Sequence, residues 1–493
     1  MTRESTTTAH NGFVRSDTIR HAFSVAMSDM YQNEVPLYQD LLTLVADVNK
    51  ATLEKDTLLA AQLAHTGELP RLDMERHGAI RLGTANELAM MRRLFAVMGM
   101  HPVGYYDLAP ASVPVHSTAF RALDSASLNQ SPFRVFTSLL RLDLIDDEAL
   151  RAAAEEALSA RHIFTDEAIA LIEQFERDGG LGAADSARFV QAALETFRWH
   201  KDTPISKTLY QQLSDQHRLI ADVVGFKGPH INHLTPRTLD IDAVQQGMAE
   251  RGIPPKAIIE GPPPRHCPIL LRQTSFKALQ ESVNFRKADG TYEAGEHSAR
   301  FGEIEQRGVA LTAKGRALYD ELLAQARNDL GATPNEDNAA KYMKLLSAAF
   351  SAFPDDYQTL HDEALAYFYY QPVCDGLEQD TSERTLALIT SDPKTLNQDD
   401  LSQLIRQGVL RIEPIVYEDF LPVSAAGIFQ SNLQEDKPSD YAGTSNKDEF
   451  EQALGAAVYD EMALYTDMQR QSLTQSLQAL QSFTQRRPKT ELS

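Results

Sequence analysis

Cysteine is almost absent from this chain of 493 residues, which contains only Cys267 and Cys374. Two cysteines form at most one bridge, so disulfides do not organise the fold. Neither cysteine belongs to a closely spaced pair of the kind that binds zinc. Both observations favour a reducing compartment, and we expect the protein in the cytoplasm.

Positive charge is scarce as well. The chain has 47 Lys and Arg residues against 69 Asp and Glu residues, and its formal net charge is −22. A phosphate-binding surface needs clustered Lys and Arg, so this balance argues against nucleic acid and anionic membranes as partners. Long apolar runs are also missing, since none approaches the length of a membrane span and residues 1–17 lack the hydrophobic core of a signal peptide. We expect neither a membrane nor a nucleic acid as a partner, and the composition leaves the oligomeric state open.

A faint internal repeat is present, with an offset of 156 residues. In the first copy, His77 precedes the helix-capping residue Thr84 by seven positions. In the second copy, His233 precedes Asp240 by the same seven positions. Ser, Thr, Asp and Asn are the residues that cap helix N-termini, so each histidine is predicted to open a strand that leads into a helix.

A second pair of segments supports the same offset. Residues 116–123 match residues 272–279, with Thr, Phe, Ala and Leu at equivalent places. Two separated signatures that agree on one offset argue for two structural copies, each presenting one histidine at the start of a strand. A fold built from paired units can form a metal site between its halves.

Hydrophobic periodicity predicts an α+β fold, in which each copy runs strand, helix, strand and further strands. The predicted segments are N-terminal helices over 1–76, a first copy over 77–145, a helical insertion over 146–223, a second copy over 224–310, a helical region over 311–415 and a C-terminal segment over 416–493. The later strands are predicted at Val103–Leu108, Val113–Leu123 and Phe133–Leu140, and at Ala257–Glu260, Pro268–Leu279 and Arg300–Val309. Helical periodicity also covers Asn338–Tyr370 and Lys447–Leu480.

The candidate metal ligands are two histidines and one carboxylate, a set that commonly holds non-haem iron and leaves positions open for substrate and dioxygen. His77 and His233 come from the repeat. The carboxylate is predicted to be Glu303, in a strand-like stretch with acidic residues at alternating positions, and Glu305 shares its face one step further along. His230 lies three positions before His233, so it is predicted to point away and to support the site or lie in a loop. Residue patterns alone leave the metal unspecified.

Arg81 follows His77 by four positions and is predicted to lie on the same strand face, roughly 13 Å away at about 3.3 Å per residue. A buried guanidinium needs a partner. Two alternatives are open for Arg81: a salt bridge to an acidic residue of the chain, or a clamp on the far carboxylate of a diacid whose near end chelates the metal.

Four segments of the chain carry a family resemblance: His77–Arg81, Gly228–Arg237, Arg300–Gly308 and Phe420–Phe429. Together they resemble the 2-oxoadipate dioxygenase/decarboxylase family of the vicinal-oxygen-chelate superfamily. The third segment is also similar to the iron-binding strand of 4-hydroxyphenylpyruvate dioxygenase. The resemblance covers nearly the whole chain, and its motifs are specific.

The resemblance implies a fold and a reaction. The fold would be paired βαβββ modules forming a partly closed barrel, with large helical insertions and caps. The enzyme would use Fe(II) to convert 2-oxoadipate and dioxygen into D-2-hydroxyglutarate and carbon dioxide in lysine breakdown. The positions that it implies are the iron ligands His77, His233 and Glu303, Arg81 for the distal carboxylate, and Val423 and Ser424 for substrate contact from the C-terminal segment.

Two other functions stay open. A metal-dependent isomerase or lyase on the same scaffold would use the metal as a Lewis acid and consume no oxygen. A non-catalytic binding protein is the second alternative, which a three-residue ligand set disfavours. Neither the preferred chain length of the 2-oxo acid nor the stereochemistry of the product follows from residue patterns.

Overall fold

The structure is a computed structural model that describes residues 12–298, 300–374, 382–421 and 446–486. Its helices in these ranges are α1 Ser16–Glu34, α2 Pro36–Lys55, α3 Thr57–His65, α4 Ala85–Val97, α5 Ser125–Gln130, α6 Glu148–Ser159, α7 Asp166–Asp178, α8 Ala183–Leu194, α9 Lys207–Gln216, α10 Arg218–Val224, α11 Ile241–Glu250, α12 Ala313–Leu330, α13 Ala339–Phe350, α14 Tyr357–Asp362, α15 Glu383–Thr390, α16 Gln398–Arg406, α17 Lys447–Leu454 and α18 Glu461–Arg486. Its strands are β1 Arg76–Leu82, β2 His101–Asp107, β3 Val115–Arg121, β4 Arg134–Leu140, β5 His233–Pro236, β6 Leu271–Ser275, β7 Glu281–Arg286, β8 Tyr292–His297, β9 Glu303–Arg307, β10 Phe368–Pro372 and β11 Leu410–Pro414. The predicted α+β class is confirmed.

Both predicted helix starts are present. Thr84 accepts a hydrogen bond from the backbone N–H of Glu87 (3.2 Å), and the Glu87 carboxylate accepts one from the backbone of Thr84, which completes a capping box at α4. Asp240 accepts a hydrogen bond from the backbone N–H of Ala243 (3.0 Å) at α11. The two helices therefore begin at equivalent places, since Ala85 and Ile241 each lie eight residues after the corresponding histidine.

The central sheet joins the two copies, with strand order β2-β3-β4-β1-β5. Strand β1 runs parallel to β4 and antiparallel to β5. In the β1–β5 pair, His77 lies opposite Thr235 and Ala79 lies opposite His233. Opposite residues share a face and side chains alternate along a strand, so His77 and His233 project from the same face of the sheet.

Strand β9 lies next to the end of β5. Arg237 and Glu305 form a parallel bridge, and the backbone N–H of Thr238 donates to the carbonyl of Glu305 (2.8 Å). On its other side, β9 pairs with β6. The strands that carry His77, His233 and Glu303 are therefore neighbours.

Helices cover both faces of the central sheet. One face contributes Ile80, Phe120 and Val135 to a core that includes side chains of α1, α4 and α8. The other face contributes Ala79 and Phe136 to a core with α6, α9 and α10. The apolar stripes that the sequence predicted as core are fully buried: Leu88, Met91, Leu94, Phe95 and Met98 after β1, and Ile241, Val244 and Met248 after β5.

The chain forms two compact units. Of the described residues, the first unit contains those within 1–260, 273–306 and 419–459, and the second contains those within 261–272, 307–418 and 460–493. In the second unit, β10 and β11 pair antiparallel, and a small apolar core includes Tyr370, Leu404 and Leu477. No helix in the part of the chain that the structure describes is both long enough and apolar enough to span a membrane.

Several predicted elements are corrected in the second copy. Residues 257–260 form no strand but a single bridge, Glu260 to Gln273, because the pairing register shifts between this bridge and the bridge from Pro255 to Phe276 and interrupts the ladder. The hairpin β7–β8 was not predicted, although Asp289-Gly290 is a turn signal and Gly290 has φ +82°. The partly closed barrel is not confirmed, since the described strands form one five-stranded and three two-stranded sheets.

Two predicted helices are also shorter than expected. The segment predicted as helical over 338–370 forms α13 and α14, and its helical structure ends at Asp362. Phe368–Pro372 forms a strand, which suits its aromatic residues. The predicted C-terminal helix is broken at Gly455, which adopts φ +71° and closes α17. The boundaries proposed for the six sequence segments stay a prediction.

Candidate metal centre

Three predicted ligands meet on the shared face of β1, β5 and β9. His77 Nε2 lies 3.6 Å from Glu303 Oε1, and His233 Nε2 lies 3.5 Å from Glu303 Oε2. The two imidazole rings are 5.7 Å apart. All three side chains are fully buried, and the candidate ligand atoms lie within 4.8 Å of one another. The structure thus brings together the residues that the repeat and the alternating acidic strand predicted.

Hydrogen bonding within this group is incomplete. His77 Nε2, both ring nitrogens of His233 and Glu303 Oε2 have no hydrogen-bond partner among the described residues. A buried polar atom without a partner costs roughly 1–3 kcal/mol, so native structures rarely keep several together. Two imidazoles and one carboxylate are the donor set of non-haem iron sites. The unsatisfied atoms converge and fit a divalent transition metal.

A second carboxylate orients His77. The Nδ1 atom of His77 lies 3.1 Å from Glu305 Oε2, and this contact turns the Nε2 atom of His77 towards Glu303. Burial alone would lower the pKa of His77, but the charge of Glu305 and contacts with Glu303 outweigh burial and raise it. Carboxylates commonly fix the ring orientation of metal-binding histidines in this way.

His233 has the opposite electrostatic environment. Burial, followed by the positive charges of His77, Arg81 and Lys256, holds the pKa of His233 well below its usual value. The ring is therefore neutral near neutral pH, which is the form that binds a metal. The ring of Phe301 packs against it with centroids 4.9 Å apart.

Glu303 is held by a residue that sequence reasoning missed. Gln273 Nε2 donates a hydrogen bond to Glu303 Oε1 (2.6 Å) from the neighbouring strand β6. Burial raises the pKa of Glu303, and His77 and Lys256 partly offset that effect. Lys256 itself is a missed neighbour, and burial lowers its pKa to about 8 against the charges of Glu260 and Glu303. No local sequence pattern marks Gln273, because its contact with Glu303 depends on the pairing of β6 with β9.

Arg81 lies on the same face of β1 as His77, close enough to His233 to lower its pKa. Its guanidinium donates to Asp222 Oδ2 (2.5 Å), so the salt bridge that the sequence left open is present. His230 belongs to a separate buried group with Asp222 and His297, not to the group around Glu303. Its predicted position away from the ligands is what the structure shows.

The structure describes only part of the C-terminal segment that was predicted to contact the substrate. Phe420 packs edge-on against His77, with ring centroids 4.8 Å apart. Val423 and Ser424, predicted to contact substrate, lie outside the described residues. Their role stays a prediction.

Comparison with known proteins identifies the family of this chain. The sequence profile of 2-oxoadipate dioxygenase/decarboxylase matches residues 23–432. The chain belongs to this family. A Pseudomonas putida protein named 2-oxoadipate dioxygenase/decarboxylase is 58% identical over 470 residues, which are 95% of this chain and 98% of that protein. An Escherichia coli protein of the same name is 52% identical over 459 residues, covering 93% of this chain and 98% of the relative.

A solved structure agrees with the family assignment. The crystal structure of hydroxyglutarate synthase from Pseudomonas putida in complex with 2-oxoadipate matches with a TM-score of 0.84 and 57% identity. The match covers 96% of this chain and 100% of the solved chain. The prediction that this protein is an enzyme of the 2-oxoadipate dioxygenase/decarboxylase family is confirmed.

Proposed function

We propose that the protein is an Fe(II)-dependent dioxygenase/decarboxylase that converts 2-oxoadipate and dioxygen into D-2-hydroxyglutarate and carbon dioxide. The observation that carries this proposal is the buried group of His77, His233 and Glu303. His77 Nε2, both ring nitrogens of His233 and Glu303 Oε2 converge there without hydrogen-bond partners among the described residues. Relatives at 58% and 52% identity bear the name of this activity. The family resemblance supports the D configuration and a role in lysine breakdown, and two free cysteines suit the cytoplasm.

The residues around the site would prepare it for iron. His77, His233 and Glu303 would hold the ion, Glu305 fixes the ring of His77, and Gln273 fixes the carboxylate of Glu303. Bound iron would supply a site for chelation of the 2-oxo acid and for activation of dioxygen. Phe301 packs against the ring of His233 and Phe420 against the ring of His77, so these aromatic side chains would help to exclude water from the bound substrate.

Arg81 would bind the far carboxylate of the substrate. It is four residues from His77 on one face of β1 and is nearly buried, so a charge-assisted hydrogen bond to a carboxylate would be strong there. The guanidinium geometry suits a carboxylate better than a lysine ammonium does. A monocarboxylic 2-oxo acid would leave that contact unmade.

The reaction balances without a reductant. One six-carbon oxo diacid and one dioxygen yield one five-carbon hydroxy diacid and one carbon dioxide. Both oxygen atoms of dioxygen are retained, one in the new carboxylate and one in the hydroxyl group. Labelled dioxygen should therefore place one label in each group, unless exchange with solvent dilutes the hydroxyl label.

The test is anaerobic loading with Fe(II), followed by oxygen-electrode assays with 2-oxo diacids of different chain length and with 2-oxohexanoate. We expect equal consumption of dioxygen and release of carbon dioxide with 2-oxoadipate, and poor turnover of the monoacid. Glu303→Gln is the matched control, because it keeps the shape of the side chain and removes the anionic ligand. Turnover without oxygen, or a product with all six carbons, would instead support the isomerase or lyase alternative.

A further inference from the structure

A second buried group lies behind Arg81, and we name it the Asp222 cluster: Asp222, His230, Asn232 and His297. Asp222 is on α10, His230 and Asn232 precede β5, and His297 ends β8. All four side chains are at most 6% exposed. Three separate segments of the first unit therefore converge on one carboxylate.

Each oxygen of Asp222 has defined contacts. Oδ2 accepts from Arg81 (2.5 Å) and from the amide of Asn232 (3.4 Å). Oδ1 lies 2.9 Å from His297 Nε2 and 3.3 Å from His230 Nε2. The hydroxyl of Tyr210 lies 2.7 Å from His297 Nδ1, so a continuous chain of contacts runs from Tyr210 through His297 and Asp222 to Arg81.

The Asp222 cluster differs from the metal-binding candidates near Glu303. Its carboxylate already contacts a guanidinium cation, which opposes a second cation on the same group. The amide of Asn232 lies 3.2 Å from His230 Nε2, so that nitrogen already has a polar contact within the cluster. Burial would raise the pKa of Asp222, but the charges of His230 and Arg81 and hydrogen bonds from both histidines outweigh burial and keep the carboxylate ionised. The geometry is that of a support for Arg81.

We propose that Asp222 is a positioning residue, which holds the guanidinium of Arg81 in the orientation that receives the far carboxylate of a diacid. This inference rests on the proposed function, because it takes Arg81 to be the carboxylate-binding residue. A long side chain with four rotatable bonds loses conformational freedom when it binds a ligand, and a preformed contact removes that cost beforehand. His297, Asn232 and Tyr210 fix Asp222 in turn, so the orientation is set by the packed first unit.

The main test compares two substrates in Asp222→Asn, which keeps the size of the side chain and removes its charge. We expect kcat/KM for 2-oxoadipate to fall by about tenfold or more, while kcat/KM for 2-oxohexanoate changes by less than about threefold. Iron content should remain one per chain. The control is Asp215→Asn, an exposed carboxylate on the adjacent helix α9, which should change neither value.

A double-mutant cycle shows whether Asp222 acts through Arg81. Adding Asp222→Asn to Arg81→Ala should cause no further loss of activity towards 2-oxoadipate, because the supported group is already absent. Equal losses for both substrates in Asp222→Asn, or additive losses in the double variant, would overturn the inference. A second iron ion in the wild type that disappears in Asp222→Asn would also overturn it, in favour of a metal site.

Failure of the proposed function gives a different result from failure of the positioning role of Asp222. If wild-type protein loaded with iron does not turn over 2-oxoadipate, the proposed function fails at that first measurement. If wild type is active and Asp222→Asn keeps the diacid preference, only the positioning role fails. Should Asp222→Asn not fold, His297→Gln carries the test: loss of diacid preference supports the inference, and an unchanged preference overturns it.

Discussion

At the scale of single residues, the three converging ligands define the strongest expectation. His77→Ala, His233→Ala and Glu303→Ala should each lose stoichiometric iron while remaining folded, because each removes one of three donors. His230→Ala should keep its iron, since His230 contacts Asp222 and not Glu303. Elemental analysis measures the iron content of each variant, and circular dichroism checks that each variant is folded. Stoichiometric iron and full turnover in His233→Ala would contradict the ligand assignment.

Glu305 offers a second residue-scale prediction. Glu305→Gln weakens the contact with His77 Nδ1, so the imidazole loses the partner that turns Nε2 towards Glu303. We expect metal affinity to fall by about 10- to 100-fold, as is typical when such a supporting carboxylate is replaced. Competition with a metal chelator measures this change. Glu296→Gln, on the exposed side of β8, is the control, and equal affinity in both variants would show that Glu305 has no such role.

Sequence reasoning reached some of these residues and not others, for a physical reason. His77 and His233 were predictable because the repeat gives them equivalent local contexts, and Glu303 because it alternates with Glu305 along a strand. Asp222 is a single acidic residue in the short helix α10, so no local pattern distinguishes it. Gln273 becomes notable only when β6 pairs with β9.

At the scale of elements, the approach of β9 to its neighbours depends on Gly302. A Cβ atom at this position would lie 2.3 Å from the ring of buried Phe276 and 2.8 Å from Leu41. We expect Gly302→Ala to displace the start of β9, to reduce stability by about 1–3 kcal/mol and to weaken metal binding through Glu303. Denaturant unfolding and metal titration measure the two effects. Gly182→Ala is the control, because a Cβ atom there meets nothing within 4 Å, and an equally small effect in both variants would refute the prediction.

Element prediction succeeded where local chemistry decides the structure. The capping residues Thr84 and Asp240 located two helix starts correctly. The hairpin β7–β8 interrupts the second copy and breaks its correspondence with the first, so the repeat could not predict it. The sheet order is set by pairing between distant segments, which local sequence patterns do not determine. The expected barrel also depended on such pairing, and it is not confirmed.

At the scale of the whole molecule, the candidate metal site is a buried cluster with unsatisfied atoms, so the metal-free fold is less stable than its core alone would make it. Ligand binding to the folded state adds stability of about 2.7 kcal/mol when the free ligand is 100 times its Kd. We expect Fe(II), added without oxygen, to raise the unfolding temperature of the wild type. Glu303→Gln should show no such rise, while its metal-free form should unfold at a temperature no lower than that of the wild type.

Calorimetry with and without Fe(II) separates these outcomes. A similar rise in Glu303→Gln would mean that the metal binds elsewhere on a chain whose net charge is −22.

Composition predicted neither the two compact units nor their boundaries, because unit membership depends on which distant segments pack together.

Strand β1 also fixes a distance within the candidate site. It carries His77 near its beginning and Arg81 near its end, so the spacing between the two groups is fixed by four residues of extended backbone. A change of this spacing that keeps both side chains on the same face adds or removes two residues between them, about 6.6 Å, which is far longer than one methylene group. With the proposed role of Arg81, adaptation to a diacid one carbon longer or shorter would therefore require a side chain of different length at position 81, because the backbone spacing changes only in these larger steps.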